Sequence, residues 1–546
     1  LLFGTIPRLL AIQAERYPDK EAVVDGEVRL STRQLHDAAK EFSKALLASG
    51  LEPGDRVALW APNCAHWLVA SYGIVGAGGI LLPLNTRFKG TEAAYILKTA
   101  RARFLVTVEG FLGTDYPAML NGVDAGPLEE IVVIDHANAT PTPKSSSIRL
   151  LGTKEIPVVS EADFVARSSS VSDSLYRERC DAISPDDPSD LIFTSGTTGH
   201  PKGVLNSHAG SLRTYGSWGA IAGLAKTDRY LLVNPLFHTF GYKAGALSSM
   251  MASATLYPEA VFDVSLVLQK IATEKITALP GPPTLFQSLL DHPERENYDL
   301  SSLRVATTGA AIVPVELVVA MREVLGFETV LTAYGLTEAC GTSTMARRSD
   351  TPEIVSRTCG RAIPGVFTRV VDAQGNDVAA NTDGELLIRG YNLMLGYFEN
   401  ESATREAIDE DGWLHTGDVA RQDEAGNITI TDRLKDMFTV GGFNAYPAEI
   451  EALLRPCPGV SQLAVIGVPD ARLGEVGCVV LARPLNASPA EDDALVARVL
   501  SFAKEQMANY KVPRHGYVVD ALPLNATGKV DKGALRTQFA QRVVAT

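Results

Sequence analysis

The sequence predicts an α/β protein in two unequal parts, a large N-terminal domain of sheets packed with helices (residues 1–434) and a small α+β C-terminal domain (residues 435–546). Three observations carry this. Short β-prone apolar runs alternate with helical patterns almost from the first residue, the mark of sheets covered by helices. The 546 residues exceed the ~100–200 of a single domain, so at least two are expected. Apolar residues make up 46% and charged residues 21%, a globular balance that excludes a disordered chain, collagen and a coiled-coil rod.

The elements follow in order. EAVVDG reads as a strand before LSTRQLHDAAKEFSKALLASG, a helical pattern with apolar positions every three or four residues that ends at Gly50. RVALWAP, a helix, ILLPLN and a helix through TEAAYILKTA continue the alternation. Val57 to Thr86 carries no charged residue over 30 positions, long enough to span a bilayer. Pro62, Asn63, His66, Gly73, Gly76, Gly78, Gly79 and Pro83 interrupt it, and the turn Pro53-Gly54-Asp55 precedes it. Two short buried strands around a helix are therefore expected instead. The opening LLFGTIPRLLAIQ lacks a basic region and a small-residue cleavage site, so no signal peptide is expected. Residues 136–187, rich in Ser, Thr, Pro and Asp, read as surface excursions before a new start at Asp187. Between 384 and 432 the pattern turns to short strands with turns (GELLIRG, GNITITD). The segment 436–546 alternates again, with PAEIEALLRP, QLAVIGVPD, CVVLARP and DALVARVLSFAKEQM, and places the boundary near Lys435.

Fifty basic against 64 acidic side chains give a net charge of −14. Such a surface repels nucleic-acid backbone and anionic lipid, so neither a nucleic-acid partner nor integral membrane association is expected, while local basic pockets for small anions remain compatible. The cysteines Cys64, Cys180, Cys340, Cys359, Cys457 and Cys478 are scattered, with no CxxC pair and no histidine at zinc-site spacing. They read as buried thiols of a protein in a reducing cytoplasm.

The most informative segment is DLIFTSGTTGHPKGVLNSH, residues 190–208. Strand-like Leu191–Phe193 and Val204-Leu205 flank a polar centre, which is therefore a loop. Gly196, Gly199 and Gly203 let backbone N–H groups approach an anion. Thr194, Ser195, Thr197 and Thr198 add hydroxyls, and Lys202 a compact positive charge. This is a phosphate cradle. It is not the GxxxxGK[ST] loop, because the lysine spacing differs and no helix follows at once.

The string TSGTTGxPKGV resembles the signature of the adenylate-forming superfamily of acyl-CoA synthetases, luciferases and adenylation domains. Further segments match in the family's order over nearly the whole chain. NPLFHTFGY (234–242) is similar to the segment at the acyl pocket, which implicates His238 and Phe240, with Lys243 and Thr308 as further pocket residues. TTGAA (307–311) matches the turn against adenine and acyl chain, through Gly309 and Ala310. TAYGLTE (332–338) supplies Ala333, Tyr334 and Gly335 beside the nucleotide, Thr337 for the α-phosphate and Glu338 as a hard oxygen ligand for Mg²⁺. HTGDVA brings Asp418, whose carboxylate has two oxygens for the two ribose hydroxyls. DRLKD brings Arg433 as a second ribose ligand and Lys435 at the hinge position. LPLNATGKVDK resembles the segment of the C-terminal catalytic lysine, here Lys529.

The resemblance implies the acyl-CoA synthetase-like fold, in which the large domain includes a small β-barrel-like subdomain and is hinged to the C-terminal domain. It implies a reaction in two steps: a carboxylic acid and MgATP give acyl-AMP and pyrophosphate, then CoA gives the thioester. Lys529, His238, Thr337 and Glu338 would act in catalysis, and Gly441, Gly442 and Phe443 would line the pantetheine tunnel. For the acid, the look of FHTFGYKAG and TVGGFNAYPAEIE is similar to actinobacterial ligases for steroid-ring propanoates. Fatty acids and aryl acids stay open, and distal ketones would suit Lys243 as a donor. The alternative is an amino-acid or aryl-acid adenylation enzyme loading a carrier protein. Amino-acid modules typically carry an aspartate near the position where this chain has Phe237-His238-Thr239. PLNATGK also fits the Pro-x4-Gly-Lys pattern at which a lysine acetyltransferase modifies some family members, here on Lys529, removing its charge. A monomer and a homodimer are both compatible with the sequence.

Overall fold

The uncharged stretch folds into the strand Arg56–Trp60, the helix Ala65–Gly76 and the strand Ile80–Pro83. The helix is apolar on every side and is buried nearly throughout, as such a helix must be. It packs on the amphipathic helix Thr32–Ala48, which starts at a capping box between Ser31 and Gln34. Where they cross, a Cβ added at Gly73 would lie 2.8 Å from Phe42 Cβ, and Ser43 Oγ donates to the Gly73 carbonyl at 2.8 Å. Gly73→Val is expected to destabilise the protein by about 1–3 kcal/mol through overpacking. A thermal melt reads this, and an unchanged midpoint would mean that the two helices part without cost.

These strands are part of a nine-stranded sheet. Its centre is a parallel run in the order Pro188–Thr194, Ile80–Pro83, Arg56–Trp60, Phe104–Thr107, Glu130–Val133 and Glu155–Ser160. Antiparallel strands close both edges, Lys202–Ser207 and Gly396–Tyr397 on one side and Ser147–Arg149 on the other. A second layer has two four-stranded halves, linked through parallel bridges from Ala278 to Tyr230 and Val305. The strands Val366–Val371, Gly384–Gly390, Leu414–Gln422 and Ile428–Arg433 make a four-stranded antiparallel sheet. The small domain pairs Leu463–Asp470 antiparallel and His515–Val519 parallel with Gly474–Ala482. The helices Pro447–Leu454, Asp492–Gln506 and Lys532–Val544 accompany these strands.

The computed structural model describes residues 3–136, 147–152, 155–194, 201–309, 313–372, 374–433, 438–445, 447–483, 488–523 and 530–544. Two large hydrophobic cores result, one drawn from Ile6 to Ile428 and the other from Phe438 to Phe539, and Val371, Leu387 and Trp413 make a small third cluster. The expected hinge, Lys435, falls between the two large cores, outside the described residues. The region 136–187 is more regular than its composition suggests. It holds the edge strand Ser147–Arg149, its neighbour Glu155–Ser160 and the helices Glu161–Ala166 and Asp173–Ala182. Its serines read as loop residues, yet Ser160 and Ser172 are helix N-caps. Among the described residues no helix is long and apolar enough to cross a membrane.

His208, 2% exposed, accepts the Ile6 N–H at Nδ1 over 3.3 Å and so ties the first helix to the core. Burial lowers its pKa from the ordinary 6.5 to about 4. A histidine whose folded pKa lies below its unfolded value favours the folded state above pH 6.5, and that contribution is lost as pH falls toward 4. The melting temperature is expected to drop across this window less steeply in His208→Asn than in wild type. Parallel pH profiles would overturn the assignment.

Candidate active site

Pro188–Thr194 and Lys202–Ser207 pair antiparallel with Thr194 opposite Lys202, so the two strands bracket the phosphate-cradle segment. Ser195, Gly196, Thr197, Thr198 and Gly199 lie outside the described residues. Thr194 and Lys202 open onto a cleft of about 2220 Å³. Lys202 Nζ stands 4.9 Å from the centroid of the Tyr397 ring, and the Tyr397 hydroxyl donates to Glu338 Oε1 at 2.9 Å. Glu338 and Thr337 sit in a tight turn, Thr337–Ala339, that follows the strand Thr329–Tyr334. Burial pushes the Glu338 carboxyl above its ordinary range; its own backbone N–H, Tyr397, the Lys202 ammonium and Thr194 pull it back. An ammonium and a carboxylate held apart by a phenol suit a polyphosphate together with a hard cation. One carboxylate suffices for Mg²⁺, which takes one or two protein carboxylates and completes its shell from phosphates and water.

A second pair forms beside the first. The Tyr334 hydroxyl donates to Asp418 Oδ2 at 2.5 Å, joining residues 84 apart in sequence. Asp418 is 9% exposed on the strand Leu414–Gln422, in register with Arg433, of which only the backbone is described. A flat ring and a two-oxygen acceptor on one wall match a nucleoside's base and ribose. Gly309 and Ala333 are register partners on adjacent parallel strands. Gly309 takes φ +155°, and a Cβ there would come within 2.9 Å of the Ala333 carbonyl, so the turn requires glycine. At Gly335 a Cβ would lie 2.5 Å from the Gly341 and Thr342 backbone. Ala310 lies outside the described residues.

His238 faces the same cleft, and its Nδ1 accepts the Phe240 N–H at 3.2 Å. Although the ring is open to the cleft, its depth among protein atoms lowers its pKa to about 4, so the imidazole is neutral and can donate from its other nitrogen. Phe240 opens a π-helical segment, Phe240–Leu247, a rare form found mostly at functional sites. Thr307 and Thr308 line the cleft as well. Both are buried, and neither hydroxyl has a hydrogen-bond partner among the described residues.

The expectation for Lys243 is corrected. Its side chain is wholly buried behind the cleft wall, with Nζ 2.9 Å from Asp190 Oδ1, and Asp190 is equally buried. Asn206 Nδ2 and Ser189 Oγ also donate to the Asp190 carboxylate, at 3.2 and 2.7 Å. An anion placed beneath the phosphate-cradle strand draws the lysine inward, away from any substrate.

From the small domain, the hairpin Phe438–Val440/Phe443–Ala445 reaches the cleft. Its turn residues Gly441 and Gly442 have φ +54° and +85°, and a Cβ at Gly442 would contact Pro282 of the large domain at 3.6 Å. The Phe443 ring lies 4.0 Å from the Arg87 guanidinium and 5.0 Å from the Tyr510 ring. Lys529 lies outside the described residues. Sequence reasoning missed Tyr397, although a tyrosine straight after Gly396, closely following the GELLIRG strand, was a usable signal. It also missed the contacts of Arg87, Tyr510 and Lys511 at the seam.

The arrangement suits an enzyme that binds a nucleotide. The family model described as AMP-binding enzyme matches residues 10–398, and that of the AMP-binding enzyme C-terminal domain matches 449–529. The chain belongs to the AMP-binding enzyme family. A relative from Rhodococcus jostii (strain RHA1) is 48% identical, covering 98% of each chain. It is named as a CoA ligase for a propanoyl group on a 7a-methyl-1,5-dioxo-octahydroindene ring. A relative of the same name from Mycobacterium tuberculosis is 46% identical over 97% of this chain and 98% of its own. Among solved structures, a double mutant of o-succinylbenzoate CoA synthetase from Bacillus subtilis, bound with a product analogue, aligns with TM-score 0.75 and 26% identity. That alignment covers 97% of this chain and 98% of the other.

Proposed function

We propose that this protein is an ATP-dependent acyl-CoA ligase, AMP-forming, for a bulky cyclic propanoate that carries ketones. The observation that carries the ligase reading is the meeting, in one cleft, of the Lys202–Tyr397–Glu338 cluster, the Tyr334–Asp418 pair and the Gly441–Phe443 hairpin.

In the first step the acid's carboxylate attacks the α-phosphorus of ATP in line. The new C–O–P bond forms as the bond to pyrophosphate breaks. Two anions must meet, so the protein contributes chiefly position and positive field. Tyr334 offers its face to adenine and Asp418 accepts from the ribose hydroxyls. Lys202 neutralises phosphate charge, Thr337 donates to the α-phosphate, and neutral His238 donates to a carboxylate oxygen. Lys529, from the small domain, bridges carboxylate and α-phosphate. Glu338 is the residue to hold Mg²⁺, which when bound neutralises phosphate charge. In the second step the small domain turns about Lys435, withdraws Lys529 and leaves Gly441–Phe443 at the tunnel. The CoA thiol gives its proton to solvent and attacks the acyl carbon, and AMP leaves with the electrons of the broken C–O bond. One site thus serves two reactions by a hinged rearrangement.

For the acid, the two relatives named for a dioxo-bicyclic propanoate support the class. The acidic surface and six unpaired cysteines fit a cytoplasmic location. A CoA- and ATP-dependent assay over acetate to palmitate, aromatic acids and bicyclic keto-propanoates, read by mass spectrometry, tests this. The keto-propanoates should give the highest kcat/KM. A straight-chain fatty acid that outcompetes them would overturn the substrate class, and adenylates without any thioester would overturn the ligase.

A further inference from the structure

Lys511 sits on the seam between the domains, at the border of the same cleft. Its Nζ lies 3.0 Å from Glu92 Oε1 of the large domain and 2.7 Å from Glu449 Oε1 of its own domain. The side chains of Lys511, Glu92 and Glu449 are only 3%, 8% and 7% exposed. One positive charge is therefore shared by two carboxylates in the first turns of the helices Gly90–Thr99 and Pro447–Leu454. The second oxygen of Glu92 accepts the Lys89 N–H. The second oxygen of Glu449 has no hydrogen-bond partner among the described residues.

Neighbouring contacts repeat the pattern. Lys511 Nζ lies 4.8 Å from the Phe88 ring centroid, and Phe88 packs against both hydrophobic cores. Arg87 covers the ring of Phe443, which in turn rests on Tyr510. A single strap of the large domain, residues 87–92, thus holds the small domain at two points: its hairpin through Phe443 and its body through Lys511.

The two halves of this ion triad differ in kind. Lys511–Glu449 lies within the small domain and survives any rotation of it. Lys511–Glu92 crosses the seam, in the same orientation that lays Gly442 beside Pro282, and a rotation of the small domain would part it. A desolvated ion pair is costly to break from one side, because the partner stays behind uncompensated.

We propose that Lys511 is a positioning residue for thioester formation: its pairing with Glu92 holds the small domain with the Gly441–Phe443 hairpin over the cleft, and the pair parts when that domain turns for adenylation. This rests on the two-orientation ligase reading above. Glu92→Gln tests it, since the amide keeps the shape and leaves Lys511 its Glu449 partner. Acid-dependent ATP–pyrophosphate exchange reads adenylation, and release of AMP from supplied acyl-adenylate and CoA reads the second step. Exchange should stay within about twofold of wild type while the apparent KM for CoA rises about tenfold, because an orientation populated ten times less binds ten times more weakly. The rate should recover at saturating CoA, which a merely structural loss would not produce. Lys511→Met should raise the CoA KM as well, and adding Glu92→Gln to it should cause no further rise, since the shared bond is already gone. An unchanged CoA KM in Glu92→Gln, or equal loss in both half-reactions, overturns the proposal while wild-type acyl-CoA formation leaves the ligase reading standing. Wild-type enzyme that makes adenylate but no acyl-CoA overturns both.

Discussion

Replacing Lys529 by alanine is expected to lower acid-dependent pyrophosphate exchange by about 10²–10³-fold, the usual effect of removing one group aimed at transition-state charge. Conversion of supplied acyl-adenylate and CoA to acyl-CoA should stay within about twofold of wild type. The reason is electrostatic. In adenylation a carboxylate approaches a triphosphate, and charge accumulates between the attacking oxygen and the α-phosphorus. Lys202 stands next to Tyr397 and Glu338, where the proposed mechanism puts the phosphates, and Lys529 is the cation that this mechanism assigns to the attacking carboxylate. Thioester formation begins from a mixed anhydride in which that charge is already neutralised covalently, so it makes no demand on Lys529. The Gly441–Phe443 hairpin borders the cleft, and the proposed second step uses that placement. Quench-flow of each half-reaction separates the two. Equal loss in both would show that Lys529 supports the whole site, and the division of labour between the faces of the small domain would be abandoned.

The parts of this site legible in the sequence are those where one short segment holds several groups in fixed spacing. Thr194 and Lys202 flank a loop whose strands pair with each other, so local sequence dictates their proximity. Tyr334, Thr337 and Glu338 follow one strand into one turn. Asp418 was legible from its glycine turn, although its bond to Tyr334 was not. What escaped were pairs created by packing. Tyr397 meets Glu338 because an edge strand, Gly396–Tyr397, joins Lys202–Ser207. Glu92 meets Lys511 across 419 residues, and no periodicity or spacing records that approach. The same holds for the serine-rich region 136–187, where capping hydroxyls and loop hydroxyls look alike until the sheet edge is in place.

Lys243 shows the limit most sharply. It follows closely on His238, Thr239 and Phe240, all of which line the cleft, and a cation there suggests a donor to substrate ketones. In the fold it is wholly buried against Asp190, at the base of the strand that leads into the phosphate-cradle segment. Lys243→Met is therefore expected to cost about 3–5 kcal/mol of stability, the consequence of leaving a buried carboxylate without its cation. Asp190 would keep only its bonds from Ser189 and Asn206, too few for a charge sealed from water. Adding Asp190→Asn should recover a good part of the loss, since an amide needs no counter-charge, and a double-mutant cycle in urea would measure the coupling. If Lys243→Met instead left the unfolding midpoint unchanged and shifted kcat/KM between keto and non-keto acids, the lysine would belong to the substrate pocket after all. Its burial makes the first outcome the expected one, because a side chain sealed against Asp190 presents no donor to a substrate.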